Sequence, residues 1–237
     1  MGAMLYFEMK IFLSLLIFIF SFQSISKAEV VIDNIFDVKL YSDISKYADV
    51  ENGKKRDDMP KIYTFINKDI SIERDDEFTE YYLRTDENYK VVNVTAAKNL
   101  SLSIDEFTNK CSIDKKNFIS NLALSLEMNE ELFKTRFRKG GHQDKWKGLW
   151  EDSTYVFSDG NRKLRLMVYC IYSKNLSNNN VYERLSVTFM TEDYYRSHVI
   201  DRFEIIKPFN TKFIQDYIFN GYLYSISIPS TLWYRAC

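Results

Sequence analysis

Two segments of two-residue alternation constrain the fold of this chain most. In residues 162–173, Leu164, Leu166, Val168, Cys170 and Tyr172 fall on one face of an extended backbone. In residues 181–191, Val181, Leu185, Val187 and Phe189 do the same, and Glu183 breaks the pattern near one end. The linker 173–180 is polar and Asn-rich, so the pair predicts an antiparallel hairpin with one buried face. Tyr155 to Phe157, ahead of the turn at Asp159-Gly160, adds a third strand.

A second group of strands lies upstream. Residues 30–40 read as a strand interrupted near Asp33-Asn34, followed by a short helix with Ser42 as N-cap and a charged loop over 50–60. Residues 61–67, 77–85 and 89–97 alternate or cluster apolar side chains, and Asp86-Glu87-Asn88 is short enough to join the last two as a hairpin. Between the two groups the period changes to that of a helix. Ser103-Ile104-Asp105-Glu106 fits a capping box, and Ser112 offers an N-cap with Asp114 in the first turn. Phe118, Leu122 and Leu126 recur every four residues, with Ile113 and Ile119 near the same face. Asn129 with Glu130 and Glu131 starts a further helical turn that groups Phe133 with Phe137 and ends at Gly140-Gly141. Helical spacing returns at 194–198 and 213–218, while 222–237 is apolar without a clear period.

These patterns predict an α+β class: antiparallel β-sheets in two hairpin-containing blocks, packed with a central helical segment. The blocks are 29–100 and 101–237, within one globular domain over 29–237. Gly 7 and Pro 3 are few and hydrophobic residues reach 46%, so most of that domain is regular structure around a real core.

Residues 1–28 have a different character. Lys10 precedes the apolar run from Ile11 to Phe22, and Ser26-Lys27-Ala28 places small residues at the minus-three and minus-one positions of a cleavage site. A membrane span needs about 20 apolar residues, so this shorter run predicts a signal peptide cleaved after Ala28 rather than an anchor. Glu8 is out of place in a positive leader; Met9 is the cleaner start. The expectation is a periplasmic or secreted protein with no stable membrane anchor after cleavage. The Ile, Asn, Lys, Tyr and Phe enrichment is that of an AT-rich genome, and the compact leader points to a bacterium.

Export changes the reading of the cysteines. Cys111 and Cys170 are the best candidates for a disulfide, worth roughly 4 kcal/mol in the chain-entropy treatment, against the alternative of two buried thiols. Cys237, the last residue, is left without a partner in that scheme. The cysteines are too scattered for zinc, and the sequence implies no metal and no cofactor.

The strongest local anomaly is 134–150. Arg136, Arg138, Lys139, Lys145 and Lys147 surround Gly140-Gly141-His142, and Trp146 and Trp150 follow. One reading is a binding loop in which His142, the cations and the indoles grip an anionic or flat ligand. The other is a solvated helix end with two indoles in the core. The net charge of the whole chain is −1; losing Lys10, Lys27 and Glu8 leaves it near −2, which gives no global attraction to nucleic acid.

Catalytic motifs are missing. His142 and His198 are the two imidazoles, and neither they nor the cysteines sit in an activating motif. The acidic groups Asp57-Asp58, Asp75-Asp76-Glu77 and Glu192-Asp193 are adjacent rather than facing, and the second lacks the spacing of a calcium loop. Glycosylation triplets begin at Asn93, Asn99 and Asn175. The sequence therefore predicts a non-catalytic interaction module for an envelope or extracellular protein, a glycan or an anionic surface. The rivals are a secreted effector acting on a host molecule and a hydrolase with a site built from scattered residues.

Overall fold

The alternating segments do pair, and they pair into one sheet. The computed structural model describes residues 30–56, 59–100, 110–142, 146–200, 204–208 and 210–218. Among these, nine strands follow in chain order: β1 Lys54–Arg56, β2 Met59–Ile66, β3 Glu80–Thr85, β4 Val91–Leu100, β5 Lys134–His142, β6 Trp146–Asp159, β7 Arg162–Asn175, β8 Val181–Thr191 and β9 Glu204–Ile206. Three α-helices accompany them: α1 Lys110–Ser125, α2 Glu192–His198 and α3 Thr211–Ile218. The sheet order is β1-β2-β3-β4-β8-β7-β6-β5-β9, antiparallel throughout. The two hairpin blocks meet at β4 and β8, in register from Asn93↔Met190 to Leu100↔Glu183. The protein is thus mostly antiparallel sheet with a small helical share.

The two-residue period sets the faces. Leu164, Leu166, Val168, Cys170 and Tyr172 of β7 are buried with Leu185, Val187 and Phe189 of β8, as the alternation predicts. Phe65, Leu83 and Val94 extend this core across β2, β3 and β4, and α1 and the apolar side of α3 pack on it. The opposite face carries a smaller cluster of Met59, Met167 and Met190 beneath Tyr194 and Tyr195 of α2. Thr191 caps α2 by accepting from Tyr194 N. At the β6–β7 turn, Gly160 has φ +60 with nothing near a would-be Cβ, so conformation rather than space calls for glycine there.

Five sequence expectations need correction. The charged segment 50–60 is not a loop throughout: it holds a 3-10 turn at Val50–Asn52, strand β1 and the start of β2. Residues 30–40 form no named strand; an isolated Ile35↔Val38 bridge closes a tight reversal in which Phe36 and Asp37 have φ 55 and 59. The apolar residues there serve packing, with Phe36 edge-on to Phe78 and Tyr81. Asp43, not Ser42, caps the 3-10 turn Ile44–Lys46. Ser112 lies within α1, which already runs from Lys110. Most consequential, 134–142 is a strand and not a helix end. A 3-10 turn at Glu130–Leu132, capped by Asn129, leads directly into β5. A four-residue Phe133/Phe137 spacing suits a strand as well as a helix, because four is twice two. The expected leader 1–28, the 103–106 capping box, Asp57-Asp58, the apolar tail and Cys237 lie outside the described residues. No helix among the described residues is long and apolar enough to cross a membrane.

Candidate functional site

The basic stretch singled out by sequence does not converge. Cross-strand partners in an antiparallel pair share a face, and neighbours along a strand alternate. Arg136, Arg138, Trp146 and Trp150 therefore belong to the α2 face, whereas Lys139 and Lys147 belong to the α1 face. Arg138 is only 2% exposed. Its Nε lies 2.7 Å from Asp152 Oδ2, a charge contact rather than an aligned hydrogen bond, and its terminal nitrogen donates to Tyr195 Oη at 3.0 Å. Lys139 pairs with Glu204 at 3.2 Å, and Lys147 sits 5.3 Å over the Tyr217 ring. Burial and the neighbouring Lys174 push the Lys147 pKa down. Trp150 stacks on Tyr169 at 5.2 Å. Arg136 stays exposed. His142 ends β5 opposite Trp146, and Lys145 lies outside the described residues.

The other sequence candidates are occupied structurally. Cys111 and Cys170 form a disulfide, tying α1 to β7, so neither is a thiol nucleophile. Asp75 turns its carboxylate onto Glu77 N. Glu192 is held by Arg165 and Arg196, and Arg165 lies 4.0 Å over the Tyr195 ring. His198 stacks on Tyr194, as its helical spacing predicts. Asn93 is buried and accepts from Arg84 at 2.8 Å, which removes it as a glycosylation position in the folded chain. Among the described residues no group of His, Cys, Asp and Glu is placed to hold a metal ion.

A different site stands out. Between α1, the 130–132 turn and strands β5 and β6 lies a cleft of about 640 Å³. Its floor is polar. Lys115, 3% exposed, sits in the apolar stripe Cys111, Lys115, Ile119 and Ala123 of α1. Its Nζ is 2.7 Å from Glu151 Oε1 and donates to Ser153 Oγ at 3.1 Å. Ser112 donates to the other Glu151 oxygen and shares a 2.9 Å contact with Tyr172 Oη. Thr135 Oγ1 and Ser153 Oγ are 2.9 Å apart. The walls are Ile113, Ile119, Phe133 and Phe137, and Lys116, Glu130 and Glu131 line the mouth.

Electrostatics tune this floor. Burial pulls the Lys115 pKa down, and Glu151 opposes the pull. Burial also pushes the Tyr172 hydroxyl up, keeping it neutral as a hydrogen-bonding group. Behind the disulfide, fully buried Glu183 accepts from Cys111 N at 2.7 Å, and desolvation raises its pKa to about 7.

Sequence reasoning missed this cleft because its residues come from four elements, α1, the 130–132 turn, β5 and β6. The signal was nevertheless present: Lys115 falls one turn from both Cys111 and Ile119, and Glu151 and Ser153 fall in phase with buried Leu149, Tyr155 and Phe157. A charge at an inward position of a periodic pattern marks either a satisfied structural pair or a site. Comparison of the chain with protein-family models, with curated proteins and with solved structures finds no match to any of them.

Proposed function

We propose that this protein is an exported binding module, periplasmic or secreted, whose ligand site is the cleft between α1 and the β5–β6 hairpin. The cleft carries this reading: about 640 Å³ of space sets four apolar side chains, Ile113, Ile119, Phe133 and Phe137, beside the fixed polar groups of Lys115, Glu151 and Ser153. The disulfide supports an oxidising compartment, and the leader-like residues 1–28 support export. The ligand is a component of the envelope or the extracellular medium.

Binding is favoured over catalysis by how the lysine is engaged: Lys115 Nζ is tied to Glu151 at 2.7 Å and to Ser153 Oγ at 3.1 Å, and Glu151 opposes the downward pull of burial on its pKa. The one observation on the side of a hydrolase is Ser153 Oγ, 3.1 Å from the same ammonium. Amide chemical-shift mapping of the exported protein against small neutral sugars, carboxylates, amines and aromatic acids tests the binding reading. The expected shifts cluster at 112–119, 130–137 and 151–153. Absence of any such cluster contradicts it. Turnover of nitrophenyl esters or glycosides that disappears in Ser153→Ala replaces it with the hydrolase.

A further inference from the structure

Resting on that binding reading, we propose that the cleft takes a neutral polyhydroxylated ligand, a mono- or disaccharide. The floor presents a donor-only ammonium, Lys115, and an acceptor-only carboxylate, Glu151, 2.7 Å apart. A ligand hydroxyl both donates and accepts, so adjacent hydroxyls on a sugar ring meet both groups at once. Two Lys115 N–H donors are engaged by Glu151 and Ser153, and the third has no partner among the described residues. Ser153 and Thr135 add hydroxyls that reverse their donor and acceptor roles freely. The volume of about 640 Å³ admits a ligand of one or two rings. Phe133 and Phe137 offer apolar surface to the C–H side of a ring, while its hydroxyls face the floor.

Charge excludes the other ligand classes. Lys115 and Glu151 cancel, so the floor has no net charge to attract an ion. A carboxylate ligand would pass Glu130 and Glu131 at the mouth and rest beside Glu151. A polyamine would find Glu130, Glu131 and Glu151 in the lining but would bring its own charges against Lys115 and Lys116. A purely apolar ligand would lie against the polar groups of Lys115, Glu151 and Thr135 without hydrogen bonding to them. A neutral polyol meets none of these objections.

The test titrates the exported protein with cellobiose, maltose and chitobiose, with octanoate and glucuronate, and with spermidine, following heat and amide shifts together. The proposal expects at least one neutral disaccharide to bind with Kd tighter than about 1 mM, with shifts confined to the cleft. Thr135→Val, at an exposed position, keeps the fold and weakens that disaccharide at least fivefold; Glu151→Gln weakens it further. Octanoate or spermidine occupying the cleft while the neutral sugars do not would overturn the saccharide assignment and leave the binding module standing. No probe of any class shifting the cleft would overturn both. A sugar that binds elsewhere, or one indifferent to Thr135→Val, would also overturn the assignment.

Discussion

On one face of the sheet the Lys115–Glu151 pair lines a cleft; on the other the Arg138–Asp152 pair lies beneath α2. The two pairs are alike in chemistry, in separation (2.7 Å each) and in the burial of the cation. They differ in what surrounds them. Tyr195 closes over Arg138, donated to by the guanidinium and flanked by Arg165, which Glu192 holds in turn. That arrangement clasps a seven-residue helix to the sheet, beside the apolar cluster that its Tyr194 and Tyr195 join. Lys115 instead lines the cleft, and Glu151 keeps 14% of its side chain exposed where Asp152 keeps 1%. α1 has no need of the pair as a clasp, because the disulfide already fastens it to β7. Under the proposed function, this pair serves recognition more than fastening.

The largest test of this contrast is the disulfide itself. The double substitution Cys111→Ala with Cys170→Ala, which opens a link across 59 residues, is expected to lower the unfolding free energy by about 4 kcal/mol in urea denaturation. A loss under about 1 kcal/mol would mean that α1 is held by its polar floor after all. Next comes the pair comparison. Arg138→Met strands Asp152 in a sealed site and is expected to cost about 3–5 kcal/mol, whereas Lys115→Met leaves Glu151 within reach of water and costs about half as much. Equal losses in the same measurement would erase the distinction between clasp and site.

A somewhat smaller effect, read as a pH dependence, comes from Glu183. It faces Cys111 N, Lys110 and Asp114 from α1 and Tyr172 from β7. Its folded-state pKa, about 7, lies above the unfolded value of 4.5, so the folded chain binds the proton more tightly. Stability is therefore fully present below about pH 4.5 and falls as pH rises toward 7, by about 3 kcal/mol. Glu183→Gln, which can still accept from Cys111 N, is expected to flatten that slope. A slope unchanged by the substitution would assign the pH dependence elsewhere.

The hairpin β7–β8 was legible because alternation and burial coincide over its length, from Leu164 to Phe189. Strand β5 was not, because Phe133 and Phe137 satisfy two periods and the intervening cations masked the alternation. The basic cluster looked like a site in one dimension only; in a strand, consecutive charges point to opposite faces, and Lys139 and Arg138 end far apart in role. Glu183 looked like a break in β8 yet is its most deeply buried charge, answered by a backbone N–H that no local pattern announces. The cleft depends on α1 packing on β7 and β8 so that Lys115 reaches Glu151 and Ser153 of β6, a long-range placement set by the disulfide and the sheet order rather than by any short motif. Its individual inward charges were visible; their meeting was not.

The most direct measurement is side-chain nitrogen NMR of the exported protein during titration with the tightest-binding neutral disaccharide. The Lys115 Nζ resonance is predicted to shift in step with occupancy, while the Arg138 Nε resonance stays fixed beneath Tyr195. A moving Arg138 signal with an unmoved Lys115 would place recognition on the wrong face of the sheet and contradict the account.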